Sequence, residues 1–354
     1  MHSTRSRSLK DEDRACSLVV DICGESVQLL LVADGHGGKE VAELCAEVAL
    51  EYLVEEATAS GNASAASLSA ASARTYERLH AAAVARSKTA GATLTIAAWN
   101  AARGELTIAN AGDSAALLVE AEDAGLLTAE HRLQNSAEER QRVHALGFKL
   151  AQAMTAVGVP GGPVRVWPGG LAVCRTIGDA DCGAVSSVPS VRTVSRDPSI
   201  GAALIVCSDG VWDALSNDKV ASYVRDCVTA TEAADRVVSK AAKARGLRDD
   251  ITSAVAWLGT PAWVATVHER RASGLGGLFR RMSHSPTSQR QYSPSGSSSN
   301  SSTPPVSSPA SPNISPAPSM LDLELAAHAL DSHIAHSSPN GQRSGSRTVF
   351  KVEM

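Results

Sequence analysis

The chain has 354 residues, with 33 Lys+Arg against 37 Asp+Glu and a formal net charge of -4. Such a balance argues against a dedicated nucleic-acid binder, which carries a basic excess. Hydrophobic residues make up 44% and no apolar run reaches the roughly 18 residues of a membrane helix, so a packed core is expected and a membrane span is not.

Residues 1–13 are polar and charged, so no secretory leader is expected. Glu12-Asp13 precede a strand-like run over 17–22. A second apolar run, 27–33, ends in Asp34-Gly35-His36-Gly37-Gly38. Helical spacing follows over 39–56, where Val41, Leu44, Cys45, Val48 and Tyr52 share one face, and again over 65–86. Strand-like runs occupy 93–98, 106–109 and 115–119, and 136–146 is helical. The stretch 148–166 contains Gly and Pro and reads from its residues as an irregular surface loop. A strand over 203–207 leads into Ser208-Asp209-Gly210-Val211-Trp212-Asp213. Helices over 217–228 and 232–244 precede Asp249-Asp250 and a last strand, 251–258.

This order is not a strict strand–helix alternation. It suits helices packed on antiparallel sheets, an α+β fold. Aromatic residues are only 3%, so Ala, Val and Leu must fill the core. Composition shifts near residue 260: a folded domain is expected over 1–260 and a Ser/Pro-rich disordered tail over 261–354. A short apolar patch, 320–334, has the makings of a transient helix. Seven Cys without a C-x-x-C pair fit reduced thiols, and hence the cytoplasm or nucleus, better than a disulfide framework.

Four acidic turns stand at strand edges: Glu12-Asp13, Asp34-Gly35, Asp209-Gly210 and Asp249-Asp250. Singly, each reads as an ordinary solvated turn. Gathered in one cleft they would repel one another unless cations neutralised them. Carboxylates and carbonyls are hard oxygen donors, which suit Mg²⁺ or Mn²⁺ rather than zinc. Two such ions lower the pKa of a shared water and stabilise charge on a phosphoryl group. A cysteine phosphatase is excluded, since no Cys has an Arg six residues on, and no P-loop motif occurs. His131 and His144 read as packing or surface residues.

With these residues in place, the chain resembles the type-2C metal-dependent serine/threonine protein phosphatases, and most closely their plant branch. The matching segments fall in order: Glu12-Asp13, Asp34–Gly38, Gly91-Ala92-Thr93, Ala109–Ser114, Leu127–Arg132, Leu171–Asp179, Ser208–Ser216 and Asp249–Thr252. They span nearly all of residues 9–260. The resemblance implies two packed antiparallel β-sheets flanked by helices, a four-layer α/β/β/α sandwich. It implies hydrolysis of phosphoserine and phosphothreonine in proteins, and for 148–166 a mobile flap beside the cleft as an equal alternative to a plain surface loop. Asp34 would bridge two ions with the Gly35 carbonyl beside it, Asp209 and Asp249 would bind one, and Glu12 and Asp13 the other. His36 would be the general acid, Asp34 sharing the catalytic centre, with Asp179 and Asp213 in an outer layer.

The departures from that pattern are specific. Ser8 stands where the family has a phosphate-binding Arg, which makes Arg7 the candidate after a one-residue shift. Glu130 replaces an Asp, which leaves a third ion open; Ala92 and Asp250 also differ. The first strand is expected to be short or absent. The alternative function is a catalytically degenerate regulator or binding module on the same fold. Expected partners are phosphorylated proteins and kinases acting on the tail, at Arg270-Arg271-Ala272-Ser273, Arg280-Arg281-Met282-Ser283 and several Ser-Pro sites. Neither a nucleic acid nor a membrane is expected as partner, and the chain is expected to be monomeric.

Overall fold

The computed structural model of the chain describes residues 1–282. It begins with β1 (His2–Arg7), β2 (Arg14–Ile22), β3 (Glu25–Ala33) and a two-residue β4 (Gly35–His36). Helices α1 (Glu40–Ala59) and α2 (Ala65–Arg86) follow. Then come β5 (Gly91–Ala92), β6 (Leu94–Asn100), β7 (Glu105–Ala111), β8 (Ala115–Val119) and β9 (Ala124–Leu126). Helix α3 (Ala137–Ala145) leads to β10 (Lys149–Met154), β11 (Pro160–Trp167), β12 (Ile177–Gly178), β13 (Ser190–Ser195) and β14 (Ala202–Cys207). The chain continues through α4 (Asp209–Trp212), α5 (Asn217–Arg225), α6 (Ala230–Arg245), β15 (Ile251–Leu258) and α7 (Trp263–Met282).

Two five-stranded antiparallel sheets carry the fold. One runs β1-β15-β14-β8-β9, the other β13-β7-β6-β3-β2. They face each other through Leu30, Val32, Ile108, Leu204, Val206 and Ala256. Helices α1 and α2 cover the second sheet, where Leu53, Leu68 and Leu79 meet Leu29 and Leu31. Helices α5 and α6 cover the first, where Val220, Val224 and Val237 meet Ile205 and Val255. The expected four layers are present. A strand between a helix layer and a second sheet is buried on both faces, so β14 is apolar without alternation, and β15 is buried throughout and apolar apart from Thr252 and Ser253. Ala, Val and Leu dominate the core.

Local chemistry sets the helix starts. Ser136 accepts the Glu139 N–H at 3.2 Å and Thr229 accepts that of Glu232 at 3.1 Å, each relieving an orphan donor of the first turn.

Several expectations need correcting. The first strand is neither short nor absent: β1 pairs with β15 over six positions, His2↔Ala256 to Arg7↔Ile251. It is polar because an edge strand is held by backbone hydrogen bonds, and its sequence carries no apolar signal. The stretch read as flap or loop is a hairpin, β10–β11. The proposed edge at residue 260 falls too early. Trp263 and Val267 of α7 are buried against the first sheet's helical layer, and the Trp263 ring meets Trp257 edge-on at 6.1 Å between centroids. The apolar patch at 320–334, the Ser-Pro sites and the disorder expected beyond residue 282 lie outside the described residues. No described helix is long and apolar enough to cross a membrane. All seven cysteines are free, and five of them are buried.

Candidate active site

The acidic turns meet at one end of the sandwich. Asp34 ends β3 in the second sheet; Asp209 follows β14 and Asp249 precedes β15 in the first. A close backbone contact fixes the last two. A Cβ on Gly210 would stand 2.1 Å from the Asp250 carbonyl oxygen, so only glycine lets the turn after β14 seat against the turn before β15.

Asp250 is not aimed at the cleft. Its carboxylate accepts the backbone N–H groups of Leu9 (2.5 Å), Lys10 (2.8 Å), Glu12 (2.7 Å) and Asp13 (3.1 Å), and the Ser8 hydroxyl (3.2 Å). Burial opposes its charge, but these amides outweigh it and hold its pKa at about 2. The loop bearing Glu12 and Asp13 is thus wrapped around one buried anion. Glu12 Oε1 accepts the Gly38 N–H at 2.9 Å, tying that loop to the turn after Asp34.

The carboxyls gathered here are electrostatically unsettled. Both oxygens of Asp13 are buried and lack a hydrogen-bond partner of good geometry among the described residues, although the Thr252 and Ser208 hydroxyls lie nearby. Burial, then the Asp250 charge, pushes its pKa to about 6, against help from Thr252 and Ser208. Asp209 is pushed to about 7 by burial and the Asp113 charge, with Arg132 opposing. Asp34 is raised well above the carboxylate range by burial and by Asp13, Asp209 and Asp113. Like charges crowded out of water hold on to protons unless a cation joins them.

Cations of the chain itself sit on part of this cluster. Arg132 bonds Asp113, Asp209 and Asp213, and Lys10 pairs with Asp249 at 2.8 Å. Among the described residues no three His, Cys, Asp or Glu side chains are drawn together closely enough to cage an ion. Asp209 and Asp249 are instead engaged by the arginine and the lysine. A cleft of about 130 Å³ remains, lined by Asp209, Asp213, Arg245, Arg248 and Asp249.

His36 stands beside the cluster on β4. Its Nε2 lies 2.9 Å from both Asp179 oxygens, and Asp179 also accepts the Thr176 hydroxyl at 2.5 Å. Burial works against the imidazolium, but the Asp179 hydrogen bond and charge prevail and raise its pKa. A histidine whose pKa is raised near a cluster of carboxylates is equipped to give up a proton.

The structure brings Asp13, Asp34 and Asp209 together, places Glu12, Gly35 and Asp249 at their rim, and puts Asp179 on His36 and Asp213 on Arg132 and Arg245. Arg5 pairs with Asp235, whereas Arg7 is exposed and makes no side-chain bond among the described residues. Sequence reasoning missed Asp113, Arg132 and Lys10. Asp113 had a signal, since Gly112-Asp113 closes β7 as Asp34-Gly35 closes β3; the two cations had none. His131 is buried, its ring bonded to the Gly112 backbone and the Ser190 hydroxyl.

The family model described as protein phosphatase 2C matches residues 4–251. Over 175 residues the chain is 40% identical to the probable protein phosphatase 2C 3 of Oryza sativa subsp. japonica, covering 48% of this chain and 35% of that protein. It is 37% identical over 231 residues to the probable protein phosphatase 2C 15 of Arabidopsis thaliana, covering 62% and 50%. The chain therefore spans about a third to a half of the curated relatives it matches. Among solved structures, a C. elegans sex determining protein superposes with a TM-score of 0.65 at 24% identity, covering 75% of this chain and 67% of that one. Serine-threonine phosphatase 2C from Toxoplasma gondii gives a TM-score of 0.58 at 18% identity, over 72% and 94%. At these identities the structures share the fold.

Proposed function

The chain belongs to the protein phosphatase 2C family, and from that premise we propose that it hydrolyses phosphoserine and phosphothreonine in proteins with the help of divalent cations. The observation that carries this reading is the Asp13 carboxylate, both oxygens buried without a hydrogen-bond partner among the described residues, set beside Asp34, on which Asp13, Asp209 and Asp113 all press their charge. A group so placed calls for an ion.

The donor set fits Mg²⁺ or Mn²⁺: carboxylates and a backbone carbonyl, with no thiolate or imidazole among them. Asp34, the Gly35 carbonyl, Asp209, Asp249, Glu12 and Asp13 would hold two ions. When bound, these would neutralise the carboxylates, polarise the phosphoryl oxygens and ease deprotonation of a water near neutral pH. The rest falls to the chain. Asp179 holds the His36 ring through Nε2, which leaves Nδ1 as the nitrogen that gives a proton to the departing serine or threonine oxygen. Arg7, exposed at the end of β1, is the proposed phosphate-binding residue. The hairpin β10–β11 offers a surface for the flanking peptide.

The binding-module alternative rests on Ser8, Ala92 and Glu130. None of them removes a carboxylate from the cleft: Ser8 bonds Asp250, Ala92 is buried in β5, and Glu130 accepts from the Arg132 N–H and the Asn135 amide. The proposed surroundings are a reducing compartment, cytoplasm or nucleus, which the free thiols suit. Kinases acting on the tail and a monomeric state complete the proposal.

Release of inorganic phosphate from a phosphothreonine peptide, with added Mn²⁺, tests it. We expect turnover in the parent protein and a drop of at least about a hundredfold in Asp34→Asn. Equal rates for the two folded proteins would defeat the reading.

A further inference from the structure

The cleft carries a cation of its own, and its surroundings are unusual. Arg132 lies on the loop between β9 and α3. Each of its three guanidinium nitrogens meets a different carboxylate. Nε donates to Asp113 Oδ2 at 2.7 Å, Nη2 to Asp209 Oδ2 at 2.8 Å, and Nη1 to Asp213 Oδ1 at 2.6 Å. These carboxylates come from separate places: the turn after β7, the start of α4 and the residue after α4. The Arg132 side chain is only 26% exposed and Asp113 only 11%, so the pairing is shielded from solvent.

The loop is arranged to aim this side chain. The Arg132 backbone bridges Val173, and its carbonyl accepts the N–H groups of Asn135 and Ser136 at 3.0 and 2.8 Å. Glu130, two residues before, is turned away from the cleft, accepting the Arg132 N–H at 2.9 Å and the Asn135 amide at 3.1 Å. The one acidic side chain of the loop therefore leaves the corner to the guanidinium. That group is always charged, and its planar fork matches several carboxylates at fixed angles.

We propose that Arg132 is a resident counter-cation: its guanidinium fills the corner bounded by Asp113, Asp209 and Asp213, positions the Asp209 carboxylate, and takes the place of a divalent ion there. This rests on the metal-assisted reading of the cleft. Without the guanidinium, three carboxylates that now each bond one of its nitrogens would lose their counter-charge, and with the room to draw inward they would offer hard oxygen donors to a divalent cation. Arg132 is a positioning residue, not one that touches substrate.

Equilibrium dialysis against Mn²⁺, with circular dichroism to check folding, tests the proposal on the full chain. Arg132→Met is expected to bind one more Mn²⁺ than the parent. Arg132→Lys, which keeps the charge, is expected to bind the parent's number. Adding Asp113→Asn to Arg132→Met is expected to abolish the extra ion. An unchanged count in Arg132→Met, or Lys behaving like Met, overturns the proposal. If Arg132→Met does not fold, crystals of the parent grown with excess Mn²⁺ decide: the guanidinium on Asp113 and Asp213 supports the proposal, and an ion ligated by them overturns it. A parent that binds no ion defeats the metal-assisted reading itself, while an unchanged count defeats only the role of Arg132.

Discussion

At the scale of single residues, Asp250 does more structural work than its position beside Asp249 suggests. Read along the chain, the two form an acidic pair with one purpose. Folded, Asp249 faces the cleft and Asp250 gathers four backbone N–H groups of the segment 9–13. No spacing rule distinguishes them, because which carboxylate turns inward depends on amides more than two hundred residues away. Asp250→Asn would turn one acceptor oxygen into a donor facing two N–H groups. We expect a loss of about 2 kcal/mol in urea unfolding at neutral pH. The sign with pH is definite. A depressed carboxylate pKa contributes stability above the unfolded value near 4, lost as pH falls toward 2. The gap between parent and variant should therefore close between about pH 4 and pH 2.

At the scale of elements, the smallest ones matter most to the site. Strands β12, β5 and β4 form a three-stranded sheet of two-residue strands, and it brings His36 to Asp179. Gly91 is its tightest point. A Cβ there would stand 2.1 to 2.5 Å from the Asp179 carboxylate atoms. Gly91→Ala should therefore push Asp179 off His36 and leave the proton donor badly aimed. We expect kcat to fall about tenfold to a hundredfold, with Mn²⁺ binding close to the parent's; steady-state kinetics beside dialysis checks both. Equal loss of ion binding would point to wider damage. Long elements were readable because they carry an unbroken apolar run, as β3 does from Leu29 to Ala33, or apolar residues at helical spacing, as in α1. Two-residue strands have no period to detect. Polar β1 and the Gly-Pro hairpin β10–β11 escaped for related reasons, one lacking apolar residues and the other regular spacing.

At the scale of the whole molecule, the cleft is a store of repulsion. Asp13 at about 6, Asp209 at about 7 and Asp34, raised well above the carboxylate range, all hold protons longer than in an unfolded chain. A raised carboxylate pKa contributes stability that is full below the unfolded value and lost as pH rises through the folded one. Protein stripped with a chelator should therefore melt at a higher temperature at pH 5 than at pH 7.5. Asp250 acts below this window and does not offset it. Added Mn²⁺ should raise the midpoint more at pH 7.5 than at pH 5, since at pH 5 it must displace protons. Scanning fluorimetry at the two pH values, with chelator and with Mn²⁺, tests this; identical midpoints in chelator would mean the carboxyls are not crowded as described. Much of this was legible: the acidic turns marked the cleft, and their order along the chain marked the family. The chain's own cations were not, since an arginine in a loop carries no sign of which carboxylates it will reach.

The two sheets contribute unequally spaced parts of one receptacle: Asp34 and Asp113 come from the ends of β3 and β7, Asp209 and Asp249 from β14 and β15. Neither sheet alone owns a complete set. On the proposed metal-assisted reading, manganese uptake would be a signature of the closed sandwich, and a chain severed between its halves would regain that uptake only on reassembly, making the ion a reporter of how the molecule is put together.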